Sequence, residues 1–258
     1  MKEFERLKQI VEKLRSPQGC PWDKEQTLYS MKTDMIEEAF ELLDALDNKD
    51  IDNIKEELGD LLLHVVMHSQ IAQEENLFSI TDVITNLNEK LIRRHPHVFS
   101  GVDLKNTDEV LKKWDEIKAK EKTGKPTYQS VLDSIPSNIP SIIKAEKIQK
   151  KAAKFGFDWT DIKDVLNKLD EEISELKEAV SSGNKEKVCN ELGDVIFAAV
   201  NVARHMGVDA DESLRNTNKK FRNRFFHIEK TLEAKGKKLK DTTLDEMEAI
   251  WQEAKKIQ

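Results

Sequence analysis

The sequence predicts an all-α protein made of two tandem helical bundles, and three observations support this fold class. Apolar residues recur at three- and four-residue spacing along nearly every long segment, strand-like alternation is scarce, and one pattern of acidic residues occurs twice. The helical spacing is clearest where five apolar residues form a single stripe, namely Leu166, Leu169, Ile173, Leu176 and Val180.

Capping residues mark where the predicted helices begin and end. The stretch 181–184 (Ser-Ser-Gly-Asn), Gly207 and Gly236 each follow an apolar-periodic segment, as residues that end helices do. Ser79 stands three residues before Asp82, which is a weaker form of the capping box that opens helices. We therefore expect helices that are separated by short loops.

Two copies of the acidic pattern divide the chain into halves. The repeat continues after the acids, where 88–94 parallels 218–224, and one tryptophan closes each copy. Residues 122–141 contain three prolines and predict a linker. The sequence therefore predicts two domains, residues 1–129 and 130–258. The acids of the first copy, which all recur at one constant offset in the second copy, are Glu37, Glu38, Glu41, Glu57 and Asp60.

The charge balance excludes some classes of partner. The 42 Lys and Arg residues against 49 Asp and Glu residues give a net charge of −7, which disfavours a general binder of nucleic acid or of membrane surfaces. No stretch approaches 18 uninterrupted apolar residues, and the N-terminus lacks the apolar core of a secretory signal. Because Cys20 and Cys189 lie far apart, we expect free thiols and a cytoplasmic location.

The repeated acids are spaced so that they converge between two helices. Residues three apart share a helix face, so Glu172 and Glu175 point the same way, and Glu191 and Asp194 do so on the next helix. A short Gly-Asn loop makes the two helices antiparallel neighbours. An isolated ExxE or ExxD pair is more often a solvated surface charge, but the surrounding sequence favours a functional cluster.

The residues after each acidic motif are largely apolar. Residues 195–203 carry no formal charge, and 61–67 contain six apolar residues and one histidine. We expect both segments to be buried all round, and Asp60 and Asp194 to be partly desolvated. Carboxylates in such a place need a counter-charge, and a cluster of four without interleaved cations suits a hard divalent ion. The sequence therefore predicts Mg²⁺, with Mn²⁺ as a possible substitute.

Other candidate sites are weaker by the same comparison. His64 and His68 are spaced as ligands, but alanine and valine stand at the equivalent positions of the second half, which favours core packing. The segment 95–97 (His-Pro-His) could be catalytic, but the simpler interpretation is that its proline ends a helix. The repeated motif lacks histidine, which disfavours zinc and di-iron sites. No GxxxxGK[ST] loop is present, so a P-loop NTPase is excluded.

Several motifs together resemble those of the MazG family of all-α nucleoside triphosphate pyrophosphohydrolases. One is Glu-Glu-x-x-Glu followed after fifteen residues by Glu-x-x-Asp, which occurs twice. The others are 19–27 (GCPWDKEQT), 93–99 (RRHPHVF) and 156–159 (GFDW). Together they span almost the whole chain, which is similar to the tandem, full-length bacterial form of that family.

The resemblance implies an activity and a set of residues. It implies conversion of nucleoside triphosphates and their deoxy forms to monophosphates and pyrophosphate, a requirement for Mg²⁺, and a homodimer. The implied metal ligands and catalytic residues are Glu172, Glu175, Glu191 and Asp194, with a second and weaker metal site at Glu38, Glu41, Glu57 and Asp60. The implied substrate contacts are Lys168, Glu171, Lys187, Asn190, Lys220, Arg224 and Trp251, although Asn190 stands where the family often has an acid.

The chemistry of these residues agrees with the implied roles and leaves alternatives open. Lys220 and Arg224 lie one helical turn apart and can bind the same phosphate chain. The alternative is that they form a solvated basic face. Trp251 can stack on a base or belong to an ordinary core. The alternatives to an enzyme are a non-catalytic regulatory module that binds Mg-nucleotide, and a helical scaffold that binds neither.

The two acidic sites are predicted to be unequal. Lys168 and Lys187 each stand four residues before a glutamate of the second copy, where the first copy has Asp34 and Asn53. Those lysines add positive charge where the negative charge of a bound triphosphate must be neutralised. We therefore expect the second half to carry most of the turnover. We also expect a homodimer, because each half has few helices to cover its apolar faces.

Overall fold

The chain divides into two compact units, residues 1–125 and 126–258. The computed structural model describes residues 2–121 and 130–257, and none of these residues lies in a β-strand, so the all-α prediction is confirmed. Within the same ranges, no helix is long and apolar enough to cross a membrane. The predicted boundary between residues 129 and 130 borders a segment outside the described residues and stays a prediction.

The first unit is built around a long helical hairpin, α3 and α4. Lys49 adopts a left-handed conformation (φ 56°) where α3 ends, and the side chain of Asp50 caps α4 by accepting a hydrogen bond from the backbone nitrogen of Asn53 at 3.2 Å. The two helices therefore reverse direction over two residues. The helices of this unit are α1 (Lys2–Arg15), α2 (Pro21–Glu25), α3 (Lys32–Asn48), α4 (Ile51–Glu74), α5 (Ile80–Arg94), α6 (Pro96–Phe99) and α7 (Thr107–Glu121).

The core of the first unit lies where α1 packs against α4. Arg15 at the end of α1 also forms an ion pair with Glu74 at the end of α4, with nitrogen and oxygen 2.8 Å apart. The turn after α1 requires a glycine, because a Cβ atom on Gly19 would lie 2.0 Å from the carbonyl oxygen of Leu14. The buried core residues are Val11, Met31, Val66, Met67 and Ile71.

The second unit contains a matching hairpin, α9 and α10. Gly183 ends α9 in a left-handed conformation (φ 70°), and the side chain of Asn184 caps α10 by accepting hydrogen bonds from the backbone nitrogens of Glu186 and Lys187. The sequence predicted both this turn and the capping box of Ser79 and Asp82, which is also present. The helices are α8 (Ser141–Ala153), α9 (Ile162–Ser182), α10 (Lys185–His205), α11 (Ala210–Ala234) and α12 (Leu244–Ile257).

The last two helices of the second unit close around a small core of their own. Ile228 and Leu232 of α11 pack against Ile250 of α12, and Trp251 is one of the partly buried residues around them. Of the predicted linker 122–141, the part before residue 130 lies outside the described residues. The remainder holds a 3₁₀ turn (Val131–Ser134), and Ser141 already begins α8.

Helices α4 and α10 leave apolar side chains uncovered within their units. On α10, Ile196 is 48% exposed and Phe197 is 40% exposed, and on α4 Leu62 and Val65 are similarly exposed. The prediction that 61–67 and 195–203 are buried all round is therefore wrong. A segment without charge can be buried on every side, but the sequence does not show which neighbour covers each side. Within their units, α4 packs against α1, α3 and α5, and α10 packs against α8, α9 and α11, and part of the apolar surface of each helix stays exposed.

Candidate functional site

Three glutamates of the second hairpin come together between its helices. α9 carries Glu172 and Glu175 on adjacent turns, and α10 brings Glu191 opposite them. Each offers a carboxylate oxygen, and these oxygens lie within 4.8 Å of one another. The two-residue connection between the helices sets this register, because the acids lie at similar distances from the turn. The result is a compact group of oxygen donors.

The first hairpin repeats this group. Glu38 and Glu41 on α3 and Glu57 on α4 also bring carboxylate oxygens within 4.8 Å of one another. The constant offset between the two acidic motifs therefore corresponds to a repeated geometry as well as a repeated sequence. Each described unit has its own cluster of three glutamates, built from a single hairpin.

The pKa values of several of these acids are raised. The pKa of Glu175 rises because it loses solvation and because it lies beside the negative charges of Glu172 and Glu191. In the first unit, loss of solvation and neighbouring carboxylates raise the pKa values of Glu38 and Glu57. Crowded acids of this kind favour a bound cation, and an all-oxygen donor set fits a hard divalent ion.

The fourth predicted acid of each site lies less centrally. The charge of Asp60 acts on both Glu38 and Glu57, so this half-buried residue belongs to the surroundings of the first cluster. Asp194 is exposed and is not part of the group of three in the second unit. The prediction that Asp194 is partly desolvated is wrong, because the segment that follows it is itself partly exposed to solvent.

Lys168 borders the second cluster. Its Nζ is 2.8 Å from Oε1 of Glu172 and 2.8 Å from Oε1 of Glu171, and these hydrogen bonds raise the pKa of Lys168 above its ordinary value. Glu172 is buried, with 8% of its surface exposed. The sequence predicted that Lys168 lies near the substrate and that no cation stands among the acids. The structure corrects the second point, since a lysine already neutralises part of their charge.

Three other predicted substrate residues lie on exposed helix surfaces. Lys187 and Asn190 belong to the first turns of α10, close in sequence to Glu191, and the backbone nitrogen of Lys187 is held by the α10 cap. Lys220 is exposed on α11. Their side chains are open to a ligand that approaches from solvent.

Arg224 and Trp251 meet between α11 and α12. The guanidinium carbon of Arg224 lies 5.6 Å from the centroid of the Trp251 ring. Phe221, one turn earlier on α11, lies even closer, with its ring centroid 5.1 Å from that of Trp251. Phe221 was not among the residues that the motifs indicated, although its position beside Lys220 and one turn from Arg224 is a signal in the sequence.

The equivalent arginine of the first unit has an acidic partner. Arg94 binds the carboxylate of Glu121 at 2.6 Å, and Arg93 binds the same carboxylate at 2.8 Å. These two guanidinium groups lower the pKa of Glu121 to about 2. Sequence reasoning missed Glu121 because it lies far from Arg94 along the chain, on a different helix. The pair weakens the positive charge that the first unit can offer to phosphate.

The histidines behave as the weaker candidates that the sequence suggested. His64 is buried on α4, and loss of solvation lowers its pKa. His68 contacts the carbonyl oxygen of His64 through Nδ1 at 2.7 Å, within the same helix. His95 ends α5, and Pro96 begins α6. The burial of His64 and the contact of His68 within α4 agree with a role in packing.

The fold and the two clusters define a class, namely an all-α protein with a duplicated acidic helical hairpin. The sequence model of the MazG nucleotide pyrophosphohydrolase domain matches the chain twice, over residues 26–99 and 161–228. Both matches include a complete hairpin with its glutamate cluster. The chain belongs to the MazG family.

Relatives that match almost the whole of this chain agree with this assignment. The chain is 42% identical to a nucleoside triphosphate pyrophosphohydrolase of Escherichia coli, over 99% of this chain and 98% of that protein. It is 44% identical to the nucleoside triphosphate pyrophosphohydrolase/pyrophosphatase MazG of Thermotoga maritima, over 98% of this chain and 95% of that protein. It is also 47% identical to the uncharacterized protein YabN of Bacillus subtilis, over 99% of this chain and 52% of that protein.

Proposed function

We propose that this enzyme hydrolyses nucleoside triphosphates to nucleoside monophosphates and pyrophosphate at the cluster of the second unit. The observation that carries the proposal is the group formed by Glu172, Glu175 and Glu191, with oxygens within 4.8 Å of one another. The chain matches its relatives in E. coli and T. maritima over nearly their full lengths, and both relatives are named for this reaction. Nucleotide substrates and unpaired cysteines support a cytoplasmic location.

The donor set fits Mg²⁺, and Mn²⁺ is the expected substitute. Glu172, Glu175 and Glu191 would hold the cation, and Asp194 would add a carboxylate from the exposed side of α10. All four ligands are carboxylates, which suits hard cations better than zinc. The analogous set of the first unit, with Asp60 as its fourth acid, would form the second and weaker site.

The residues around the cluster have separate tasks in this reaction. A bound divalent cation would lower the pKa of a water molecule and offset negative charge on the phosphate oxygens. Lys168 holds a positive charge beside the acids, and Lys220 and Arg224 lie one turn apart on α11, where they can bind successive phosphate groups. Lys187 is exposed near the start of α10 and can reach a bound polyphosphate.

The remaining two substrate residues would act beside these cations. Glu171 is exposed and accepts a hydrogen bond from Lys168, so it fixes the direction of that ammonium group. Asn190 precedes Glu191 and offers an amide where a carboxylate would add repulsion toward phosphate. We place the bond that breaks between the α- and β-phosphates.

A panel of nucleoside triphosphates with and without Mg²⁺ tests this function. We expect monophosphate and pyrophosphate as the first products, only in the presence of the divalent cation. Release of a nucleoside diphosphate and orthophosphate would contradict the proposed bond. Binding of Mg-nucleotide without any product would favour the alternative of a regulatory module.

We further propose that the enzyme is a homodimer. Exposed apolar side chains such as Ile196 and Phe197 on α10, and Leu58 and Leu62 on α4, form helix faces that a second copy can cover. Sedimentation of the full chain at micromolar concentration should show a dimer, and Ile196→Glu should shift it toward monomer. A wild-type protein that sediments only as a monomer would contradict this proposal.

A further inference from the structure

We propose that Glu121 keeps the first unit closed to polyphosphates. Its carboxylate binds the guanidinium of Arg94, which corresponds to Arg224, the residue that we expect to bind phosphate in the second unit. This inference rests on the function proposed above, because that function supplies the role of Arg224. As a consequence, the chain binds one nucleoside triphosphate although its fold is duplicated.

Arg94 and Arg224 stand at equivalent places of the two units. They are the last residues of the parallel segments 88–94 and 218–224. The helices that carry the tryptophans also match, since α7 begins at residue 107 and α12 at residue 244, and the tryptophan of each helix follows seven residues later. Arg94 contacts α7 through Glu121, and Arg224 lies beside Trp251 of α12. Each unit therefore places its arginine against its tryptophan-bearing helix.

Glu121 uses the donors of Arg94 with which a phosphate group would bind. Nε and Nη2 of Arg94 donate hydrogen bonds to Oε2 of Glu121 at 3.2 Å and 2.6 Å. This two-donor arrangement is the one in which a guanidinium binds a carboxylate or a phosphate. Arg93 adds a hydrogen bond from its Nε to Oε1 of Glu121 at 2.8 Å. A phosphate group that approaches Arg94 must therefore displace Glu121.

Three features oppose the displacement of Glu121. The side chains of Arg94 and Glu121 are 21% and 20% exposed, so water screens this pair less than it screens a pair on an open surface. The two guanidinium groups lower the pKa of Glu121 to about 2, so the carboxylate is charged at neutral pH. Glu121 is also tethered within the unit, which gives it a high effective concentration at Arg94. A phosphate group in solution therefore competes poorly for this arginine.

The sequence of the second unit has neutral residues at the corresponding positions. Gln258 and Glu121 each stand seven residues after the tryptophan of their unit. Asn223 stands where the first unit has Arg93. Glu121→Gln therefore gives the first unit the residue of the second, and it removes one negative charge with little change in size.

Calorimetric titration of the full chain with a non-hydrolysable nucleotide tests this inference. The probe is the ATP analogue with a methylene group between the α- and β-phosphates, in the presence of Mg²⁺, because the bond that we expect to break is absent from it. We expect the wild type to bind one analogue per chain and Glu121→Gln to bind two. The affinity of the first unit for the analogue should rise about tenfold or more, since a charged hydrogen-bond partner no longer competes with the phosphate.

Three further variants locate the new site. Addition of Arg94→Leu to Glu121→Gln should return the number of bound analogues to one, because the proposed phosphate contact is gone. Glu121→Ala removes the same carboxylate and should also bind two analogues, so the comparison does not depend on the folding of one variant. Glu116→Gln removes another carboxylate of α7, which pairs with Lys113 in an exposed position, and should bind one.

The remaining results separate this inference from the proposed function. Two analogues bound by the wild type would overturn the inference, as would two bound by the double variant. It would also fail if both Glu121 variants, shown by circular dichroism to be folded, bind no more analogue than the wild type. If the wild type binds none and Glu121→Gln binds one, the proposed function fails at the second unit while the role of Glu121 in the first unit is upheld.

Discussion

The ammonium nitrogen of Lys168 lies 2.8 Å from a carboxylate oxygen of Glu172, one helical turn away on α9. The most buried acid of the second cluster therefore has a positive partner within its own helix. In the first cluster, the residue one turn before Glu38 is Asp34, which adds negative charge instead. This difference helps to make two similar carboxylate groups electrostatically unequal.

We expect the two clusters to contribute unequally to turnover. Glu172→Gln should lower kcat/KM about 100-fold or more, because it removes a proposed metal ligand and the partner of Lys168. Glu38→Gln should leave most of the activity. Initial rates of pyrophosphate release measure both effects, after circular dichroism confirms that both variants fold. Equal losses, or a larger loss in Glu38→Gln, would show that the first unit is catalytic.

Lys168 and a divalent cation should stabilise the same acids. In metal-free buffer, Lys168→Met should lower the Tm by about 2 °C, because Glu172 loses its counter-charge while Lys168 itself is partly screened by solvent. Added Mg²⁺ should raise the Tm of this variant more than that of the wild type. Lys177→Met, on the exposed side of the same helix, is the control and should respond as the wild type does. An equal response to Mg²⁺ in all three proteins would contradict this expectation.

Binding of the cation should strengthen as the pH rises above 4.5. The pKa of Glu175 is raised above its ordinary value of 4.5, so the folded protein holds this proton more strongly than the unfolded chain does. The metal-free protein therefore loses stability as the pH rises through the folded pKa, and a bound cation would replace the proton that leaves. Calorimetric titration with Mn²⁺ from pH 4.5 to neutral should show rising affinity.

Two charge-neutralising variants test the origin of this pH dependence. Glu175→Gln should flatten the slope of affinity against pH, since the group that titrates is gone. Glu178→Gln removes an exposed charge from the next turn of α9 and should keep the slope of the wild type. An unchanged slope in Glu175→Gln would assign the titration to another group.

The ion pair of Arg94 with Glu121 should stabilise the first unit except in strong acid. The pKa of Glu121 falls from 4.5 to about 2, so its contribution is present above pH 4.5 and is lost as the pH falls toward about 2. Near neutral pH, Glu121→Gln should lower the urea midpoint by roughly 0.5 M. Glu116→Gln breaks an exposed pair with Lys113 and should have little effect. A difference that persists at pH 2 would contradict this account.

Local sequence patterns were sufficient to predict the helices and the approach of the acids. Apolar spacing and caps such as Asn184 depend on neighbours within a few residues, and the structure confirms the helices that they predict. The convergence of Glu172 and Glu191 also follows from a short loop between two helices. Their role as metal ligands stays a prediction.

Contacts between distant helices account for what the sequence did not show. Phe221 meets Trp251 only because α11 and α12 pack together, and Glu121 on α7 reaches back to Arg94 at the end of α5. The exposure of Asp194 likewise depends on what covers α10, and an uncharged segment does not specify its cover. Spacing along one helix carries no information about these three relationships.

The short connection at Gly183 and Asn184 also has a consequence for how the protein folds. All three glutamates of the second cluster lie within residues 172–191, so their approach involves contacts of low sequence separation. Such contacts form early and rapidly, whereas packing of α11 and α12 onto each other requires further loop closures. The nascent hairpin can therefore assemble its acidic group before the rest of the unit condenses. Repulsion among those carboxylates then slows the formation of the hairpin. A divalent cation in solution can reduce this repulsion.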